Sequence, residues 1–215
     1  MMNNVICVWD PLVRIFHWSL VLAFAVAYLS GDEENSLHIY SGYIVAGLII
    51  FRLVWGIVGT RYARFSHFIY SPAAVARYMK DLLAGRPQHH VGHNPAAGWM
   101  IVVLLVTLAV ITVSGLKVYA IEEGLGPLAD GAHSISIISQ ALADSDDDDD
   151  HERHEKPHHD DDEEEFWEEI HEASSNFMLL LIALHVAGVI VSGRLHRENL
   201  VKAMITGNKT DIPGA

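Results

Sequence analysis

Four apolar stretches, each near the length that crosses a bilayer, constrain this chain more than any other feature of its sequence. They fall at approximately 11–30, 37–58, 98–118 and 166–192. A helix of ~20 apolar residues spans the hydrocarbon core, where every backbone polar group has to be satisfied within the protein. The third stretch contains the unbroken run Met100-Ile101-Val102-Val103-Leu104-Leu105-Val106. A hydrophobic share of 51% in 215 residues suits a small polytopic membrane protein better than a soluble domain. The expected fold is therefore an all-α membrane protein, one domain over 1–215, with four transmembrane helices in an up-down bundle.

The ends of the stretches carry local signals. Asp10-Pro11 and Ser71-Pro72 have the pattern of an N-cap followed by a first-turn proline. Asn94-Pro95 breaks the chain ahead of the third apolar helix. The first apolar run has no convincing small-residue cleavage site after it, so it is expected to persist as a helix. Residues 73–83 alternate apolar and basic faces, which fits either a helix lying on a membrane surface or a soluble linker helix. Residues 132–143 are weakly amphipathic and could form a short helix.

Charge sets an orientation. The net charge is −13, but residues 144–172 hold seventeen acids against Arg153 and Lys156, which leaves the remainder at about +2. Lys and Arg concentrate in Arg14, the 60–95 connection and the C-terminal tail, whereas the 31–36 loop has none. The positive-inside rule then puts both termini in the cytoplasm and the acidic segments outside, in a bacterial inner membrane. Residues 144–165 are polyacidic, studded with histidine and almost devoid of apolar side chains, so they are expected to be disordered. His151, His154, His158 and His159 among those acids leave three readings open: a solvated tether, a docking site for a basic partner, or a divalent-metal site of irregular spacing.

Four histidines then sort by depth. His171 and His185 lie fourteen residues apart on the last apolar helix, a rise of ~21 Å on nearly one face. His17 lies ~20 Å below the outer end of the first helix, level with His185, and His38 opens the second helix at the level of His171. A single histidine near a helix end is usually an interfacial hydrogen-bonder. His185, between Leu184 and Val186, is harder to explain that way, because burying it without a partner is costly. Two level pairs suit bis-histidine ligation of two b haems, with iron as the bound metal, and hence an electron path across the bilayer. The sole cysteine, Cys7, excludes an internal disulfide, an Fe–S cluster and covalent C-x-x-C-H haem attachment.

Arg14, three residues before His17, could pair with a haem propionate or serve as a positive-inside anchor, and Arg52 carries the same two readings. Gly42, Gly47, Gly98 and Gly115 could admit a porphyrin face or close helix packing. Trp18, Trp55 and Trp99 read as interface aromatics. His93 is either a loop histidine or part of a quinone or proton-handling site.

The segments VWDPLVRIFHW at 8–18, LHIYSGYIVAGLIIFRLVWGIVGTRYARF at 37–65 and GHNPAAG at 92–98, with His171 and His185, resemble the bacterial cytochrome b561 family, close to hydrogenase-type cytochrome b subunits. The resemblance covers nearly all the chain outside 119–165. It implies a four-helix bundle in which His17, His38, His171 and His185 ligate two b haems. It also implies electron transfer between the quinone pool and a periplasmic redox partner, a c-type cytochrome or a hydrogenase-like enzyme, and no nucleic-acid partner is expected. An electron-transfer subunit is favoured over a stand-alone enzyme. The alternative that the resemblance carries is a superoxide:quinone oxidoreductase acting at the outer haem. The acidic, histidine-rich insertion departs from the family pattern.

Overall fold

The computed structural model describes residues 5–31, 36–86, 92–129, 159–196 and 198–210. Four long helices dominate it: α1 (Pro11–Leu29), α2 (Ser36–Val58), α4 (Pro95–Glu123) and α5 (His159–Leu195). Each is long and apolar enough to cross a membrane. Between them lie a short α3 (Pro72–Leu83) and a single 3-10 turn, Phe65–His67. After α5 come α6 (Leu200–Thr206) and a strand β2 (Asn208–Thr210), which pairs antiparallel with β1 (Val5–Cys7) near the N-terminus.

Three helices begin with the same device. The Asp10 carboxylate accepts from Val13 N–H at 2.9 Å, the Ser71 hydroxyl from Ala74 N–H at 3.3 Å and the Asn94 side-chain oxygen from Ala97 N–H at 2.8 Å. A proline follows each cap, where its missing N–H has no bond to lose. Asn94-Pro95 is thus the start of α4 rather than a break before it, which places the helix onset three residues ahead of the expected Gly98. At its other end α4 runs past the expected Val118 to Glu123 and stops at Gly124, whose φ of 65° suits glycine.

The last helix corrects the sequence expectation further. α5 begins at His159, so residues 159–165, expected to be disordered, are helical. Glutamate is a good helix former, and acids in a first turn interact favourably with the helix dipole. Those two effects outweigh the lack of apolar residues there. The remainder of the acidic tract and the weak amphipathic stretch at 132–143 lie outside the described residues. With 29 and 37 residues, α4 and α5 are each longer than the ~30 Å hydrocarbon core requires at 1.5 Å per residue. Glu122 near the end of α4 meets Glu164 and Glu168 near the start of α5.

α1 packs along α2, α4 along α5, and the two hairpins join chiefly through α2 and α4. Ala23, Val45, Ile49, Leu108, Ile111 and Met178 form the buried core where the hairpins meet. Around it, large apolar side chains such as Leu22, Ile50, Ile57, Val106 and Leu184 face outward. An apolar perimeter of that extent matches lipid rather than water. Tyr78 is buried beneath α3, where its hydroxyl interacts with Asn94 and Ser192, while Arg77 and Lys80 stay exposed.

The segment after α5, readable in the sequence only as a basic tail, folds back over the start of the chain. Val8 N–H and Trp9 N–H both donate to the Gly207 carbonyl, at 2.9 and 3.1 Å. Gly207 has a φ of 85°, and a Cβ there would lie 2.7 Å from the Trp9 carbonyl oxygen. Only glycine fits. Lys209 and Glu198 form an ion pair at 2.9 Å.

Candidate functional site

Four histidines of the long helices gather at two levels. At one, His38 of α2 and His171 of α5 face each other with ring centres 6.0 Å apart and planes at 78°. At the other, His17 of α1 lies near enough to His185 of α5 for the two rings to interact electrostatically. Met178, buried to 1% exposure, is seven residues from both α5 histidines, so the apolar core fills the level between the pairs.

Each ring of the first pair is tied back by its Nδ1. His38 Nδ1 donates to the Ala27 carbonyl at 2.9 Å, and His171 Nδ1 to the Ile111 carbonyl at 3.0 Å. Ala27 lies in the last turn of α1, where carbonyls have no helical partner and carry the negative end of the dipole. A proton held on Nδ1 leaves Nε2 as the lone-pair nitrogen. Imidazole nitrogens sit ~2 Å from a first-row metal, so two rings ligating one ion from opposite sides have centres ~6 Å apart. The second pair is less tied: the buried Nδ1 of His17 has no hydrogen-bond partner, and its ring meets Trp18 edge-on at 5.1 Å.

The glycines divide the two readings offered for them. A Cβ on Gly115 would lie 2.8 Å from His171 Cε1, so the imidazole rests on that glycine. Gly98 packs against the Phe68 backbone. Gly42, one helical turn from His38, and Gly47 have no heavy atom within 4 Å of a Cβ position, which leaves open space beside α2. α5 makes little backbone contact with α1 or α2. Paired imidazoles and open space beside small residues fit a haem held between the α1–α2 hairpin and α5. Sequence inspection missed Ser114, whose hydroxyl also reaches His171 Nδ1 at 3.2 Å. A serine within an apolar helix was the available signal.

The two arginines have other neighbours. Arg14 Nη1 donates to the Ile205 carbonyl at 2.5 Å, at the C-terminal end of α6, a favourable place for a cation. Arg52 is buried, donates to the Ala63 carbonyl at 3.1 Å and lies over the Phe65 ring at 4.8 Å. The tryptophans are similarly tied: Trp18 to the Met204 carbonyl, Trp55 to Asp10 and Trp99 to the Tyr70 carbonyl.

His93 lies with Arg52 and Asp10 at the end of the bundle that holds β1 and β2. Its ring packs between Trp9 at 4.5 Å and Phe68 at 4.7 Å, and its buried Nδ1 has no hydrogen-bond partner. Burial, then the charges of Arg52 and Lys209, push the imidazole down to about 3, so it is neutral. Burial would raise the Asp10 carboxyl, but bonds from Thr60, Val13 and Trp55 outweigh it and hold the group below its usual value. His151, His154 and His158 lie outside the described residues.

Against known families, the model for prokaryotic cytochrome b561 matches residues 8–207. The chain belongs to that family. Its relatives include a protein of Rhodobacter capsulatus described as a probable Ni/Fe-hydrogenase B-type cytochrome subunit, 22% identical over 94% of this chain and 80% of the relative. A protein of the same description from Rhizobium leguminosarum bv. viciae is 26% identical over 55% of this chain and 61% of that one. No solved structure matches the chain. Membership in this family of b-type cytochromes makes the chain a multi-pass bacterial membrane protein with haem b as cofactor and transmembrane electron transfer as its role.

Proposed function

We propose that this cytochrome holds two b haems, one between His38 and His171 and the other between His17 and His185, and relays electrons between membrane quinone and a redox enzyme on the acidic side. The observation that carries the proposal is the facing pair His38 and His171, 6.0 Å between ring centres, with both Nδ1 protons held by carbonyls. A b haem supplies a one-electron couple, and two axial imidazoles leave no open position for oxygen. The protein's part is to fix the four rings at two depths and keep water from the level between them. The lysines and arginines near the termini support a cytoplasmic location for both ends.

The partner proposed is a hydrogenase-like enzyme, because the relatives are described as hydrogenase cytochrome subunits, with a c-type cytochrome as the second choice. The acid-rich segment 144–172 favours a docked protein over a free anionic oxidant. Its field would repel superoxide, which weighs against direct oxidoreductase activity at the outer haem.

The test is haem content and reduced spectrum of the purified chain. Wild type should carry two b haems, and His171→Ala or His185→Ala should each lose one. A His185→Ala variant that keeps both with unchanged spectra overturns the assignment. Quinone-dependent superoxide consumption without any partner protein would favour the oxidoreductase instead.

A further inference from the structure

Ser114 is fully buried in α4, at 0% exposure. Its hydroxyl has one proton, which α4's own carbonyls of Val110 at 2.9 Å and Ile111 at 3.1 Å can accept. With that proton committed, a hydroxyl lone pair faces His171 Nδ1 at 3.2 Å. The Ile111 carbonyl faces the same nitrogen at 3.0 Å. One N–H therefore has two acceptors, both on one turn of α4. The next residue, Gly115, provides the seat: any Cβ there would lie 2.8 Å from His171 Cε1 and 3.0 Å from Nδ1. A methyl group at that point has to push the ring off both acceptors.

We propose that Ser114 and Gly115 are positioning residues that set the orientation and basicity of His171, and through it the reduction potential of the outer haem. The proposal rests on the reading of His171 as an axial ligand. An acceptor on the distal N–H of a metal-bound imidazole fixes its tautomer and raises its basicity, which favours the more highly charged metal. The outer pair has such acceptors on both rings, since His38 Nδ1 also donates to Ala27 at 2.9 Å. His17 Nδ1 is buried without one. The two sites are thus built unequally, and the outer haem is expected to have the lower potential.

The experiment uses the purified holoprotein, with optical redox titration and low-spin ferric EPR as readouts. The outer haem is defined as the one lost in His171→Ala, and the inner haem serves as the internal reference. Ser114→Ala should retain two haems, raise the outer midpoint potential and shift the outer EPR signal. Ser114→Thr, which keeps the hydroxyl, should return both toward wild type. Gly115→Ala should change the outer EPR signal or lose that haem while the inner haem stays unchanged. The inference is overturned if Ser114→Ala leaves the outer potential and signal unmoved, or if Gly115→Ala retains both haems with wild-type signals. Should His171→Ala keep both haems, the ligand reading falls instead, so the two failures are distinguishable. A Ser114→Ala protein that does not fold leaves Gly115→Ala to decide.

Discussion

His93 shows what burial does to a single side chain here. Packed against Trp9 and Phe68 and facing the charges of Arg52 and Lys209, it stays neutral down to about pH 3. In the unfolded chain a histidine takes up a proton near its ordinary value of ~6.5. Below that pH the unfolded state binds the extra proton and the folded state does not, so stability is full above ~6.5 and falls as the solution is acidified. The loss approaches ~1.4 kcal/mol per pH unit. Between pH 6.5 and 5 few carboxylates titrate, which isolates the histidine contribution. Thermal unfolding of the detergent-solubilised protein should therefore weaken across that window, and His93→Phe, which keeps a ring between Trp9 and Phe68, should show a flatter profile. Parallel profiles for the two proteins would remove His93 as the cause. Arg14 illustrates the limit of reading a residue locally. Its spacing from His17 offers a propionate partner, and the fold-back of α6 adds the Ile205 carbonyl from 191 positions away. No local pattern encodes that contact.

At the scale of elements, the capped starts differ in how much else they hold. The Ser71 side chain caps α3 through Ala74, whereas Asp10 caps α1 and also accepts from Trp55 and Thr60. Removing an isolated cap costs about 1 kcal/mol. Removing Asp10 breaks the cap and two further bonds, and takes a negative charge away from buried Arg52, so about 2–4 kcal/mol is expected. Asp10→Ala should lower the midpoint of thermal unfolding several times more than Ser71→Ala does, and equal shifts would show that the Trp55 and Thr60 bonds contribute nothing. The caps at Asp10 and Ser71 were legible because a cap and a proline are adjacent in sequence. The onset of α5 was not, since its first turns have no apolar face and hold their shape through helix propensity and terminal charge. The β1–β2 pairing was invisible for a different reason: three-residue strands joined across 200 residues carry no periodicity of their own.

For the molecule as a whole, four apolar runs sufficed to give the bundle, and the depth argument sufficed to group His17 with His185 and His38 with His171. What the runs could not give was the second layer, in which Ser114 and Gly115 seat one imidazole, because that depends on the rotation of α4 against α5. The charge asymmetry, in contrast, is a property of the sequence that the fold turns into a direction. Basic residues collect near the termini in sequence, and the acids of α5 from Asp162 to Glu172 lie at the His38–His171 end, close to where the outer haem is proposed. The net charge of about −15 that the sequence carries over 144–172, directly before and around His171, would attract a cationic protein surface from a distance and speed its encounter. Screening shortens that reach from ~10 Å at 0.1 M salt to ~3 Å at 1 M. Electron exchange between the reduced cytochrome and a basic redox protein, followed by stopped-flow absorbance, should therefore slow by about tenfold or more as salt rises over that range. Replacing Asp146–Asp150 with asparagine should lower the rate at low salt and leave it less dependent on salt, with haem content unchanged. A rate indifferent to both salt and those five substitutions would mean that the acidic segment has no part in docking, and a metal-binding assay on the His151–His159 tract would then be the next measurement.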